Sequence, residues 1–465
     1  MSEMEELKSK LFRSKKSGWE TVDDTRRSEI NKFCDEYMYF LNNSKTEREI
    51  IKSAKKMADE NGFRNIEECS ELKEGDKVYY INREKSMYLA VIGKEPMENG
   101  INIIGSHADS PRLDLKPNPL YEDTGLAYLK THYYGGIKKY QWTTIPLAIH
   151  GVFVKANGEK IDVTIGEDES DPIFTITDLL PHLATDQMQR KLNEGIKGEE
   201  LNLLVGSIPY GSGADAVKLN IMNLLNQKYG IVEKDFVSSE IELVPAFKAR
   251  SMGFDSSMVA AYGQDDKICV FTSVRALLEV YNPNKTAVCI IADKEEIGSM
   301  GNTGMESHVF DTFVSELLNK QNVNRPNLLD KVFCKSKMLS ADVDAAYDPI
   351  YASAFEKNNS GYLGKGLGLN KYTGARGKSG ASDANAEFVA EIRGILEREN
   401  VEYEVSELGK VDTGGGGTIA YILADKGIDV IDAGVPVLSM HAPYEVTSKF
   451  DVHEAFRAYR AFWNN

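Results

Sequence analysis

Cysteine and histidine are scarce in this chain. Five cysteines, Cys34, Cys69, Cys269, Cys289 and Cys334, are scattered over 465 residues without CxxC spacing. An odd and dispersed set offers neither a disulfide framework nor a cysteine metal site, so reduced thiols in a reducing compartment are expected. Long apolar runs are missing as well. No stretch approaches the ~18 apolar residues that a membrane-spanning helix needs. The start, MSEMEELKSKLF, is charged throughout and lacks the apolar segment of a secretory signal. A cytoplasmic location is therefore expected. Positive charge is also short: 55 Lys and Arg face 71 Asp and Glu, a net charge of −16. That deficit argues against nucleic acid and anionic membrane as partners, since both need a basic surface.

What is present can build a core without staples, with 42% hydrophobic and 27% charged residues. The length suggests two or three structural units. Residues 25–60 carry helical periodicity, and VYYINREKSMYLAVIG reads as paired strands. Ile101–Ile104 is a short apolar run that ends in Gly105-Ser106-His107. From about Leu120 to Arg250 the texture becomes β-rich. GVFVKANGEKIDVTIGE alternates on both sides of Asn157-Gly158, which predicts a hairpin. A helix is expected over 176–193, and strands at 201–206 and 241–245. After Arg250 an α/β rhythm returns: helices over 266–281, 307–321, 384–399 and 418–426 alternate with apolar strands. The expected division is residues 1–119 and 251–465 as an α/β domain, with 120–250 inserted.

The chemistry sits at the ends of the apolar runs. GSHADSP places His107 and Asp109 two apart, so on a strand they share a face. An imidazole there can ligate a metal while the carboxylate fixes its tautomer. YGQDDKICVF puts Asp265 and Asp266 before a helix, where either aspartate alone would read as an N-cap. IIADKEEIGSMG sets Asp293, Glu295 and Glu296 at the end of an apolar strand. Adjacent glutamates there are costly unless something compensates them. Because neighbours point different ways, one can ligate a metal while the other faces the attacking water. MLSADVD adds Asp342 and PVLSMHAP adds His441. Parallel sheets gather such ends along one edge. Two histidines with several carboxylates and no cysteine suit two divalent ions, zinc first, with manganese or cobalt as alternatives. Ions about 3.5–4 Å apart need a bridging carboxylate. His132, His150, His308 and His453 match no motif.

These motifs, from SHADSPRLDLK through YGQDDKICVF, DKEEIGS, LSADVDAAYDP and GARGKSGASDANAEF to TGGGGTIAYILADKGIDVIDAGVPVLSMHAPYE, resemble the aspartyl aminopeptidase and vacuolar aminopeptidase I family of dinuclear zinc metallopeptidases. The resemblance covers nearly the whole chain. It implies a mixed-sheet α/β/α catalytic domain interrupted by a β-rich dimerisation domain. It implies that His107, Asp265 and Asp342 hold one ion, and that Glu296, His441 and the shared Asp265 hold the other. Glu295 would be the general base and Asp109 would orient His107. Asp266 stays open as an alternative bridge. The substrate would be a short peptide with a free N-terminus. Dimers would stack into a dodecamer with internal active sites. The family's partner-subunit histidine has its nearest match in His182, with Asp186 as an alternative. A preference for acidic N-terminal residues, found in part of the family, would call on Lys378 and Arg376 in GARGKSG. TGGGGT, with Gly415 and Gly416, would offer N–H donors to the substrate. No GxxxxGK[ST] phosphate loop follows a strand. A dizinc deacylase of N-acyl amino acids and a metal-stabilised scaffold are the competing readings.

Overall fold

Side-chain alternation along a few short apolar strands sets the layering of this protein, a computed structural model that describes residues 2–13, 16–323 and 325–465. Ala287–Ala292, Asn102–His107, Lys337–Ser340 and Asp429–Gly434 lie side by side and parallel. Ser86–Val91 and Leu367–Asn370 flank them antiparallel, and three further strands complete a nine-stranded mixed sheet. Successive residues of a strand face opposite ways. Ile103, Val288 and Ile290 therefore enter one core, beneath helices Val309–Lys320, Leu328–Phe333 and Ala420–Ala424. Ile104, Cys289 and Ile291 enter the other, beneath Asp24–Asn43, Glu47–Glu60, Gln264–Leu278, Ala386–Arg398 and Lys449–Asn464. The result is an α/β/α sandwich. Its central strands are buried on both faces and so read as continuous apolar runs.

A second, six-stranded antiparallel sheet runs in the order Lys160–Ile165, Leu147–Val154, Ser239–Pro245, Arg112–Asp123, Leu126–Tyr134, Asn202–Gly206. It has its own core around Leu113, Trp142, Leu203, Phe236 and Leu243. It starts at Arg112, earlier than Leu120, because the chain turns into it directly after His107. The Asn157-Gly158 hairpin is present. The helix expected over 176–193 is not. That stretch holds only the short turns Pro181–Leu183, Thr185–Met188 and Leu192–Gly195. Leu183, Met188 and Leu192 are exposed there, and helices this short are not sustained without packing of an apolar face. Helix Ala216–Tyr229 was not foreseen. Among the described residues, no helix is long and apolar enough to cross a membrane.

A third, five-stranded sheet is built of very short strands, of which only Pro436–Leu438, within the apolar run PVLSMHAP, is expected from the sequence. Its order is Arg250–Met252, Met258–Ala261, Glu445–Ser448, Pro436–Leu438, Asp344–Ala345. It lies where the chain enters and leaves the site.

The second sheet meets the main body through a buried polar cluster. His150 Nδ1 lies 2.7 Å from Glu49 Oε1 of helix Glu47–Glu60, and its Nε2 lies 3.0 Å from Glu167 Oε1. Lys45 Nζ reaches Glu167 at 2.6 Å and donates to the carbonyls of Pro245 and Phe247, and Lys248 reaches the other Glu167 oxygen at 2.7 Å. Burial opposes charge on His150, but Glu167 and Glu49 outweigh it and raise the imidazole above its usual 6.5. Glu167 is held down at about 2, against its burial, by His150 and the lysines. The imidazolium thus stabilises the fold fully below pH 6.5, and that contribution is lost as pH rises through the raised folded value. The glutamate contribution is present above 4.5 and is lost as pH falls toward 2. His150→Gln should therefore lower the thermal midpoint below neutrality and flatten its decline on the alkaline side. A variant whose midpoint follows the wild-type pH profile would show that the cluster carries no such linkage.

Candidate metal centre

The carboxyl ends of three parallel strands and the turns of the third sheet converge on one cleft. Asn102–His107 ends on His107 itself, and Ala287–Ala292 runs into Asp293 and the turn Glu295–Ile297. Lys337–Ser340 is followed by Asp342. His441 lies between Pro436–Leu438 and Glu445–Ser448, and Asp265 follows Met258–Ala261 at the start of helix Gln264–Leu278. The Asp265–Asp266 peptide is cis. Gly434, at the end of Asp429–Gly434, is needed beside Asp342, because a Cβ there would stand 1.4 Å from the Asp342 carbonyl oxygen.

Two ligand groups result, and they share one residue. His107, Asp265 and Asp342 present donor atoms within 4.8 Å of one another, and so do Asp265, Glu296 and His441. Asp265 uses a different oxygen in each group: Oδ1 lies 3.3 Å from His107 Nε2, and Oδ2 lies 3.1 Å from His441 Nε2. Asp342 Oδ1 is 3.7 Å from His107 Nε2, and Glu296 Oε1 is 3.6 Å from His441 Nε2. Asp266 belongs to neither group. Its Oδ2 accepts the N–H of His107 at 3.1 Å, so it supports the strand end. Glu295 also stands outside both groups, with Oε2 3.9 Å from His107 Nε2.

The neighbours of each imidazole decide which nitrogen is available. His107 Nδ1 faces the Asp109 carbonyl at 3.0 Å and Asp109 Oδ1 at 3.3 Å. His441 Nδ1 faces the Gly136 carbonyl at 2.8 Å. A carbonyl only accepts, so Nδ1 carries the hydrogen and Nε2 offers its lone pair to the carboxylate side. Asp109 has a second task, accepting the N–H groups of Glu295 at 3.0 Å and Glu296 at 3.1 Å. Asp293 turns away and accepts from Thr303 at 2.5 Å. Lys294 and His441 both take left-handed backbone, φ 65°. Such positions cost of order 1–3 kcal/mol and are tolerated where surrounding structure enforces them.

The charge balance tests whether metal ions fit. Burial raises Glu296 well above the carboxylate range, and Asp265 adds to it. Burial also raises Glu295, with His107 opposing and Asp342 and Asp265 reinforcing, to about 8. Burial disfavours charge on His441, yet Asp265 and Glu296 lift it to about 10. Glu296 Oε1 is buried without a hydrogen-bond partner. A cluster of carboxylates that repel one another, with an orphaned oxygen and two imidazoles aimed among them, is compensated by cations and by little else. Two histidines and oxygen donors suit zinc. The residues fit the group.

The remaining expected residues lie in two loops and in a turn of the six-stranded unit. Lys378 is engaged within the protein, its Nζ 3.1 Å from Asp383 and 3.8 Å from the centre of the Tyr372 ring. Arg376 and Lys378 line a pocket of about 160 Å³ together with Tyr372, Glu407 and Gly414. Gly415 and Gly416 pack on the same loop, where the Gly374 N–H donates to the Gly416 carbonyl at 2.9 Å. His182 is exposed on the turn Pro181–Leu183 of the six-stranded unit. Two supporting elements carried no sequence signal of their own. Glu445 clamps the site from below, Oε1 accepting the His441 N–H at 2.8 Å and Oε2 the Asp265 N–H at 3.1 Å. The other is the segment 134–136, which approaches from the second sheet. Glu445 is the last residue of HAPYE, but its role depends on contacts that no spacing encodes.

Comparison with known proteins identifies the family. The aminopeptidase I zinc metalloprotease (M18) family matches residues 40–463. A probable M18 family aminopeptidase 1 from Clostridium acetobutylicum is 53% identical over 461 residues, covering 98% of this chain and 99% of that protein. The crystal structure of an M18 aminopeptidase from Thermotoga maritima superposes with a TM-score of 0.94 at 46% identity, covering 97% and 99% of the two chains. Aminopeptidase I from Clostridium acetobutylicum gives 0.92 at 52%, covering 98% and 100%. The chain therefore belongs to the M18 family of aminopeptidase I zinc metalloproteases and is a metallopeptidase.

Proposed function

We propose that this aminopeptidase removes the N-terminal residue of short peptides at a two-zinc centre, with Glu295 as general base. The observation that carries the reading is the pair of ligand groups that share the two oxygens of Asp265. His107, Asp265 and Asp342 would hold one ion, and Asp265, Glu296 and His441 the other. When bound, such ions polarise the peptide carbonyl and bring the pKa of the attacking water toward ~7. Glu295, within reach of the cleft but in neither ligand group, takes the water proton and returns it to the leaving nitrogen. Asp109 orients His107 and, through the N–H groups it accepts, the Glu295-Glu296 turn. The free α-amine of the substrate binds beside the second ion or an acidic group, which limits cleavage to the first residue. For an acidic first residue, Arg376 and Lys378, which line a pocket of their own, are the cations this reading assigns. Gly415 and Gly416 would offer backbone donors to the substrate.

Self-association is part of the proposal. Ile173, Leu183, Met188, Leu192, Ile208 and Tyr210 of the six-stranded unit are each more than half exposed in the single chain, and such apolar surface calls for a cover. A second copy is the occupant we assign, bringing His182 or Asp186 toward a neighbour's site. A similar fold, at 20% identity, is the S. cerevisiae mApe1 dodecamer. Light scattering at a monomer mass would remove this part. The five unpaired cysteines support a reducing, cytoplasmic setting.

The test of the activity uses unblocked dipeptides and aminoacyl anilides beside N-acylated amino acids, with and without chelator. Hydrolysis of the unblocked substrates, abolished by chelator and restored by about two equivalents of zinc, is the expected result. Turnover of the N-acylated compounds instead would make the protein a deacylase. No chelator-sensitive activity on a broad residue panel would make it a scaffold.

A further inference from the structure

Three consecutive residues at the end of a strand of the inserted sheet approach the candidate centre. Strand Leu126–Tyr134 ends at Tyr134, whose hydroxyl donates to Asp109 Oδ2 at 2.9 Å. The same oxygen accepts the N–H of Glu296, while Asp109 Oδ1 accepts the N–H of Glu295 and lies 3.3 Å from His107 Nδ1. The phenol is thus a further anchor on the one carboxylate that arranges both His107 and the glutamate pair. Gly136 follows, and its carbonyl accepts from His441 Nδ1 at 2.8 Å. Gly135 between them has φ +73°, and a Cβ there would lie 3.2 Å from Glu296 Oε2. Only glycine brings the backbone this close in this conformation.

The segment is itself held. Tyr134 pairs in antiparallel register with Arg112, whose guanidinium stands 3.9 Å from the centre of the Tyr134 ring. Arg112 is buried and lies 3.4 Å from Glu47, 2.8 Å from Asp114 and 3.1 Å from Glu242. Glu47 opens helix Glu47–Glu60 of the main body, while Asp114 and Glu242 belong to the inserted sheet. A continuous set of contacts therefore runs from the junction of the two units through Arg112 and Tyr134 to Asp109 and His107.

We propose that Tyr134, Gly135 and Gly136 are positioning residues for the metal centre, setting His107 through Asp109 and His441 through the Gly136 carbonyl, so that the inserted sheet completes the site of its own chain. The proposal rests on the ligand assignment given above. Outer hydrogen bonds of this kind orient a ligating imidazole and raise its basicity, and losing one typically costs ~10–100-fold in metal affinity.

Two-step zinc titration of the full-length protein against a chromophoric chelator tests it, with Tyr134→Phe, Gly136→Ala and, as a control on the same strand, Tyr128→Phe. Tyr134→Phe keeps the ring on Arg112 and removes only the hydroxyl. It should weaken the step that involves His107 by ~10–100-fold, carry a smaller loss to the step that involves Glu296, whose N–H shares Asp109 Oδ2, and keep the metal-free thermal midpoint. Gly136→Ala places a Cβ 3.2 Å from His441 Nδ1 and should weaken the other step. In cobalt-substituted protein each variant should shift the visible absorption of one ion. Wild-type affinity for both ions in both variants would overturn the proposal. So would an equal loss at both steps that tracks a lowered metal-free midpoint, because that is a structural effect. If His107→Ala and His441→Ala bind zinc as the wild type does, the ligand assignment falls, and that outcome is visible before any variant of the segment is made.

Discussion

Glu295→Gln is expected to keep its zinc and to lose roughly 10²–10⁴-fold in kcat, the usual contribution of a positioned general base. Three features make this substitution diagnostic. Glu295 is in neither ligand group, so its carboxylate is not needed to hold an ion. Its side chain is 16% exposed against 4% for Glu296, so it is the member of the pair that meets the cleft. Its place in the turn is set by its main-chain N–H on Asp109, which glutamine keeps. Without cations, burial and the neighbouring carboxylates raise Glu295 to about 8. Two bound dications reverse the sign of that environment and favour the carboxylate, the form a base requires. The measurements are kcat on an aminoacyl anilide and metal content after desalting. A wild-type rate would remove Glu295 as the base, and lost zinc would make it a ligand.

Asp265→Ala should lose zinc from both positions and with it all measurable turnover. Asp265 is the one residue in both groups, and its two oxygens face the two imidazoles separately. Removing it would take a donor from each group and the residue that the two groups share. The loss should exceed the ~10–100-fold that an outer hydrogen bond costs. The fold should survive, because the backbone there is held independently: the Asp265 N–H donates to Glu445 and its carbonyl accepts from Ser110. Asp266→Asn is the contrasting variant. Asp266 accepts the His107 N–H through Oδ2, and an amide oxygen can replace that acceptor. It should retain both ions. If elemental analysis shows zinc lost from Asp266→Asn and retained in Asp265→Ala, the bridge assignment is reversed.

Much of the site was legible because its residues end buried strands. A parallel strand covered on both faces is apolar along its whole length, so the first ligand-type residue after it stands out. His107 and Asp342 stand out in this way, whereas after Ala287–Ala292 the first such residue is Asp293, which accepts from Thr303, and the Glu295-Glu296 pair is marked instead by two adjacent carboxylates. Register within the Asp265-Asp266 pair could not be read with the same force, since adjacent residues share every local signal. The helix expected over 176–193 failed for a related reason. Leucines at helical spacing imply a helix only when something packs on them, and here Leu183, Met188 and Leu192 are exposed. Tyr134-Gly135-Gly136 reads as the end of a strand and a turn, and nothing in its spacing points to Asp109 or His441.

The sequence by itself determined the α/β/α layering, the catalytic class and which residue types gather at the sheet edge. The α/β rhythm and the gathering of ligand-type residues follow from local apolar runs and helical periodicity, while the layering and the catalytic class follow from the order of the motifs that carry the family resemblance. Only the tertiary structure decided which aspartate oxygen faces which histidine, that Glu445 clamps Asp265 and His441 together, and that the inserted sheet reaches the centre through Tyr134 and Gly136. Those contacts join residues far apart in the chain. Their geometry is set by the short strands of the third sheet and by the buried ion pairs of Arg112, where a side chain's partner depends on the packing of whole units.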